Sequence, residues 1–203
     1  MLPASSTLDS SQAVLVVVDI QDRLSAVMER RQQVLSKTRL LIAAARITGV
    51  PLIATRQNPK GLGEMEPGVV DALAEAENGG LDVEVIDKMS FDCFAEPAFS
   101  DAVAATGRRQ LLLAGMEAHI CVCQTALSGL RETFDVHIAA DACCSIDEEC
   151  RTLAWMRLAN AGAVITTAES AAYELVGRAG TDDFRALLQV VKASARGESG
   201  AVT

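Results

Sequence analysis

The chain has 203 residues, half of them hydrophobic but only 3% aromatic, with six cysteines, two histidines and a formal net charge of −9. This length suits one domain, whose core must be filled by Ala, Val, Leu and Ile rather than by rings. The acidic balance, with basic residues scattered and not run together, argues against a nucleic-acid or anionic-membrane partner.

In chain order, AVLVVVD (13–19) is the first strand-like run. It is too short to cross a bilayer, and no signal-peptide pattern precedes it, so a cytoplasmic location is expected. A helical pattern over Val34–Thr48 leads to a second strand, 51–55. The Gly/Pro-rich stretch 56–68 reads as a surface loop, and a third strand follows at 83–87. Further strands at 110–115, 135–141 and 163–167 alternate with helices over Ala98–Thr106, Cys121–Glu132, Glu148–Ala161 and about Thr181–Ala195. The domain is placed at 11–195, with 1–10 and 196–203 as flexible tails. The strands are nearly continuous in apolar residues, as strands buried on both faces must be. Together these features give an α/β fold, a doubly wound parallel sheet with helices on both faces. Ligands of such sheets bind outside the carboxyl ends of the strands.

The cysteines (93, 121, 123, 143, 144 and 150) lack the spacing of a disulfide framework, so reduced thiols are expected. No CxxC pair is present, which disfavours a thioredoxin-like redox site, and His119 and His137 are not at zinc-ligand spacing.

Three strand ends carry reactive side chains: Asp19 in VVVDIQDRL, Lys88 in VIDKMSFDCF, and Cys121 in GMEAHICVCQTAL. A thiolate is the reactive form of cysteine. A helix start and a nearby ammonium favour the ionised sulfur, and a carboxylate can take the thiol proton and later return it. Each residue also has a plain structural reading: Cys as a small buried hydrophobe, Asp as a helix cap, Lys as a solvated charge. Cys123 would point away from Cys121 on a helix. Cys143, Cys144 and Cys150 read as structural, Asp141 as a helix cap, and His137 as a core or interface residue.

These three segments, in order and spacing, resemble the signatures of the isochorismatase-like cysteine hydrolases, and 136–177 matches the part that follows the nucleophile helix. The resemblance covers roughly 11–190 and is strongest to the isochorismatase-domain-containing proteins. It implies a six-stranded parallel sheet of order 3-2-1-4-5-6 and a catalytic triad of Asp19, Lys88 and Cys121. It further implies a cis peptide between Met116 and Glu117, and an oxyanion hole made by the backbone N–H groups of Glu117 and Cys121. Gln21 would lie beside the substrate, with Phe91 and Phe94 as an apolar wall. Relatives that hydrolyse nicotinamide carry an Asp-x-His segment and a further His after strand two. ATRQNPKGLGEM has no histidine, so neither a metal nor another cofactor is expected. Arg56 and Arg23 are available to grip a carboxylate.

The resemblance implies hydrolysis of a small amide through a Cys121 thioester, by a homo-oligomer such as a dimer or tetramer. The alternative is a catalytically silent oligomeric scaffold of the same fold, for which CRTLAWMRLANAGA, with Trp155, would supply a subunit contact. Whether His119, Cys123 or Arg56 reaches the pocket is left open by the sequence.

Overall fold

The computed structural model describes residues 7–195. Six strands form one parallel sheet: β1 (Ala13–Val18), β2 (Leu52–Gln57), β3 (Val83–Lys88), β4 (Gln110–Met116), β5 (Asp135–Cys144) and β6 (Val164–Thr166), in the order β3-β2-β1-β4-β5-β6. The helices are α1 (Asp22–Ser25), α2 (Arg31–Thr48), α3 (Pro59–Leu62), α4 (Pro67–Asn78), α5 (Pro97–Ala105), α6 (Cys123–Arg131), α7 (Glu148–Ala161), α8 (Ala168–Val176) and α9 (Asp182–Ala195). Among the described residues, no helix is long and apolar enough to cross a membrane.

Every residue of β1 and β4 is buried, because helices cover both faces. Alternate residues of β1 serve two separate cores. Leu15 and Val17 pack with α2, α4, α8 and α9; Val14, Val16 and Val18 pack with α5, α6 and α7. With so few rings, aliphatic side chains fill both layers, and Phe99 is the one aromatic among the largest fully buried residues.

The strand order reverses its direction of growth between β1 and β4, and the carboxyl ends of these two strands are where sheets of this kind take their ligands. The two strands come very close there. Gly115 pairs with Val18 at φ +134°, and a Cβ on it would fall 2.0 Å from the Val18 carbonyl oxygen. Only glycine allows that approach.

Three segments differ from the sequence reading. The stretch read as loop 56–68 holds the end of β2, the short α3 and the start of α4, which opens on Pro67 at its first turn. Helix α8, unread in the sequence, is capped by the Thr167 side chain and closed by Gly177 at φ +67°. Of the expected tails, 1–6 and 196–203 lie outside the described residues, but 7–10 is anchored to the domain through Leu8 and backbone hydrogen bonds. Leu8 is buried, its N–H donates to Glu174 Oε2 at 2.9 Å, and Asp9 N–H donates to Gln110 Oε1 at 2.8 Å.

Candidate active site

Asp19 follows β1 with its backbone in the left-handed region, at φ +51°, an unusual conformation that Asp tolerates better than most residues. Neighbours hold it there: its N–H donates to the Thr55 carbonyl at 3.1 Å, and its own carbonyl accepts from Gln21 N–H at 2.9 Å. The side chain is fully buried. Oδ1 accepts from the Thr55 hydroxyl at 2.7 Å, and Oδ2 lies 2.7 Å from Lys88 Nζ.

Lys88 ends β3, opposite Gln57 of β2. Its buried ammonium has three neighbours for its three donors: Asp19 Oδ2, Gln57 Oε1 at 2.7 Å and the Ser90 carbonyl at 3.1 Å. Burial is the largest single effect and pulls its pKa down, but the Asp19 carboxylate together with the neighbouring Cys93 and Cys121 sulfurs holds it above the ordinary lysine range. Lys88 is therefore a fixed positive charge in the folded chain.

Cys121 is 6% exposed and close enough to Asp19 and Lys88 for both charges to act on its thiol. It sits on a single π-helical turn, Ala118–Val122, that joins β4 to α6, and the preceding Met116–Glu117 peptide is cis. Single π turns recur at functional sites. The sequence reading places Cys121 in the first turn of an α-helix with an ionised sulfur; the structure corrects the first point, and the surroundings of the thiol oppose the second. The α-helix starts two residues later, at Cys123. Burial pushes the thiol pKa well up, the Asp19 charge adds to this, and Lys88 only partly opposes it. Burial and the Asp19 charge both favour the protonated thiol over the thiolate.

Several expected pocket residues have other work. Gln21 is fully buried and braces the segment after β2: Nε2 donates to the carbonyls of Gln57 (3.1 Å) and Gly63 (2.7 Å), and Oε1 accepts from Gln57 N–H (2.8 Å). Its polar atoms are committed to backbone, so it is not free for a ligand. Phe94 turns into the core, with its ring centroid 5.1 Å from Phe99 and 5.7 Å from Phe134, while Phe91 is exposed on the loop after β3. Phe94 is partly buried and packs edge-on among other rings, so the two phenylalanines of the expected apolar wall lie in different settings. Arg56 is held by Asp87 (2.6 and 3.1 Å) and Glu64, and Arg23 donates to the carbonyls of Lys60 and Gly61. Neither arginine is a ready carboxylate grip. His119 Nδ1 pairs with Ser145 Oγ at 2.9 Å, tying the π turn to the end of β5. Asp141 accepts from Ala168 N–H at 2.6 Å and so caps α8. Cys123, Cys143 and Cys144 are buried thiols of the core, and all six cysteines are free.

Three residues at the site were not singled out in the sequence: Thr55, Gln57 and Cys93. Thr55 and Gln57 stand two apart at the carboxyl end of β2, on one face, the first bonded to Asp19 and the second to Lys88. The signal was available in LIATRQ, where two polar residues alternate at the end of an apolar strand. Cys93 lies behind them, its N–H donating to Thr125 Oγ1 at 3.0 Å; burial pushes its thiol up to about 12.

The buried thiols make stability fall on the alkaline side. Burial raises the pKa of Cys93, Cys121, Cys143 and Cys144 in the folded chain, above the 9.0 of an exposed thiol. Below pH 9 both states keep these protons and nothing is lost. Above it the unfolded chain releases protons that the folded chain retains, so unfolding is favoured, by up to about 1.4 kcal/mol per pH unit for each thiol. The urea midpoint, measured under reducing conditions, is expected to hold steady from pH 7 to about 8.5 and to drop steeply above 9. A midpoint constant to pH 11 would contradict the burial of these thiols.

Comparison with known proteins fits this geometry. The isochorismatase domain family model matches residues 13–170. The secreted isochorismatase effector Isc1 of Phytophthora sojae is 31% identical over 189 residues, 93% of this chain and 88% of that protein. The isochorismatase domain-containing protein 1 of Salmo salar is 33% identical over 187 residues, 92% of this chain but 63% of the longer relative. Among solved structures, the MAR1 ribonuclease of Caenorhabditis elegans is 30% identical with a TM-score of 0.82, covering 97% of both chains. YcaC from Pseudomonas aeruginosa, solved with hexane-2,5-diol and covalent acrylamide, is 27% identical with a TM-score of 0.79, covering 95% of this chain and 96% of its own. The Escherichia coli YcaC product, an octameric hydrolase of unknown specificity, is 27% identical with a TM-score of 0.82, covering 96% of this chain and 93% of its own.

Proposed function

This chain belongs to the isochorismatase family, and from that membership and its site we propose that it is a cysteine hydrolase of small amides, with Asp19, Lys88 and Cys121 as the catalytic residues. The observation that carries the proposal is the buried Asp19–Lys88 ion pair set against the Cys121 thiol. An ion pair fully removed from water is costly and gives no assured stability, so its place beside a thiol favours a chemical role.

In the proposed reaction Cys121 Sγ attacks the amide carbonyl as its proton passes to Asp19. The carbonyl π pair moves to oxygen, and the backbone N–H groups of Glu117 and Cys121 hold the oxyanion. Each such donor contributes about 3–4 kcal/mol in well-studied cases. The intermediate collapses, the C–N bond breaks, and Asp19 returns the proton to the leaving amine. Water, with Asp19 as base, then cleaves the thioester and restores the thiol. Lys88 keeps its charge throughout, with its donors engaged by Asp19, Gln57 and Ser90. No metal or other cofactor enters these steps.

The test is a screen of small primary amides for ammonia release, with Cys121→Ala as the control. Turnover by the native chain that vanishes in the variant supports the reading; equal turnover by both would sink it. A ribonuclease reading, suggested by the name of the nematode protein, lacks support in a chain of net charge −9 whose buried ammonium is already committed.

The assembly we propose is a homo-oligomer built on α7. Leu153 and Met156 are 56% and 59% exposed on that helix, and Ile146, just before it, is 63% exposed. The Trp155 indole N–H is buried without a hydrogen-bond partner. An unsatisfied buried donor beside exposed aliphatics suits a surface that a second copy covers. The octameric YcaC protein gives the precedent. Light scattering is expected to give a multiple of the 21.4 kDa chain, and Leu153→Asp/Met156→Asp a smaller particle. A native monomer would contradict the proposal. Six free thiols fit a reducing compartment such as the cytoplasm, although one relative is named as secreted.

A further inference from the structure

We infer that Thr55 is a positioning residue of this site: its hydroxyl keeps Asp19 an aimed carboxylate, so that the Cys121 proton stays on sulfur until a carbonyl arrives. The inference rests on the proposed Asp19–Cys121 proton transfer and adds what controls its timing.

Thr55 holds Asp19 at two points. Its carbonyl accepts from Asp19 N–H at 3.1 Å, and its hydroxyl donates to Oδ1 at 2.7 Å. The first bond fixes a backbone at φ +51°, and the second fixes the carboxylate plane. Thr55 is 1% exposed and its hydroxyl neighbours the fully buried Cys93 thiol, so water cannot readily replace it. With Oδ1 engaged, Oδ2 is the oxygen beside Lys88.

The consequence is chemical. A sulfhydryl beside a carboxylate can be redrawn as a thiolate beside a carboxylic acid, with the proton count unchanged. A hydrogen bond donated to the carboxylate stabilises only the first arrangement. Hydrogen bonds to charged groups are among the stronger ones, enough to change the balance about tenfold. Thr55 therefore holds the resting site in its neutral-thiol form, which keeps a buried nucleophile from reacting with stray electrophiles. When a carbonyl is bound, the oxyanion donors offset the cost of moving the proton.

The probe is iodoacetamide, whose iodide is displaced by sulfur and which requires no knowledge of the substrate. The rate at Cys121 is followed by peptide mass spectrometry at pH 7, with buried Cys143 of the same molecule, whose thiol senses neither Thr55 nor Asp19, reporting any opening of the fold. Thr55→Val is expected to speed alkylation of Cys121 about tenfold relative to Cys143, and Thr55→Ser to restore the native rate. Asp19→Asn should also speed it, by removing the negative charge beside sulfur. Adding Thr55→Val to Asp19→Asn should change nothing further, whereas simple loosening of the fold would add to it. If Asp19→Asn speeds alkylation but Thr55→Val does not, or if Ser fails to rescue, the role assigned to Thr55 is overturned and the hydrolase reading stands. If Asp19→Asn leaves the rate unchanged, sulfur and carboxylate are uncoupled and both readings fall.

Discussion

Replacement of Cys121 by Ala is expected to lower amide turnover by at least about 10³-fold while leaving the fold intact. The size follows from the proposed reaction: the residue forms the covalent intermediate, and losing a nucleophile removes the whole acyl-transfer route. The fold should survive because the change deletes one sulfur from the turn that follows β4. Cys121 packs with Ala118 and Val122 but belongs to a core that Phe99, Leu111 and Leu113 fill more substantially. A cavity of one atom costs about 1 kcal/mol. Circular dichroism and the thermal midpoint should therefore stay near native values while turnover disappears. A variant that retains activity would show that Cys121 is core packing.

Removing one half of the buried ion pair is expected to have the largest effect on stability. In Lys88→Met the Asp19 carboxylate remains fully buried with its counter-charge gone; in Asp19→Asn the Lys88 ammonium keeps only neutral acceptors. Breaking a buried pair from one side typically costs about 3–5 kcal/mol. For a chain of this length that corresponds to a drop in thermal midpoint of about 6–20 °C. The double variant Asp19→Asn/Lys88→Met carries no stranded charge and should recover most of the loss, with no return of activity. Thermal melts of the four proteins form the cycle. Additive losses would mean that the two groups do not sense each other in the folded chain.

The contrast between those two variants and Cys121→Ala reflects what the site is built from. Sulfur, carboxylate and ammonium come from three strand ends separated by about seventy and thirty residues, and the parallel sheet brings them to one rim. Asp19 and Lys88 are held by the neighbouring strand as well as by each other: Thr55 and Gln57 of β2 lie between β1 and β3 and reach one to each side.

Much of this was legible in the sequence, and the physical reason is the sheet. Strands buried on both faces need unbroken apolar runs, so β1 and β4 could be located within a residue or two. The rule that ligands bind at carboxyl ends then singled out Asp19, Lys88 and Cys121. Less local features escaped. Helix α4 opens in PGVV, where Gly and Pro resemble loop chemistry, although Pro is also at home in a first turn. The π turn under Cys121 has no one-dimensional pattern, because AHICV would serve equally in an α-helix. The surroundings of the sulfur are not legible either, because a sequence shows which charges are near in principle but not how completely water is excluded. Burial and the Asp19 charge outweigh the ammonium. Gln21 and Phe94 were assigned to the pocket by resemblance, and their roles depend on neighbours distant in sequence: the Gly63 carbonyl for one and Phe134 for the other.

The most direct measurement is to incubate the native chain with small primary amides, quench in acid during turnover, and map any added mass by peptide mass spectrometry. The account predicts an acyl group on Cys121, released by hydroxylamine as a thioester should be, and absent from Asp19→Asn. An acyl group carried instead by half-exposed Cys150, or turnover that proceeds with Cys121 unmodified and persists in Cys121→Ala, would contradict it.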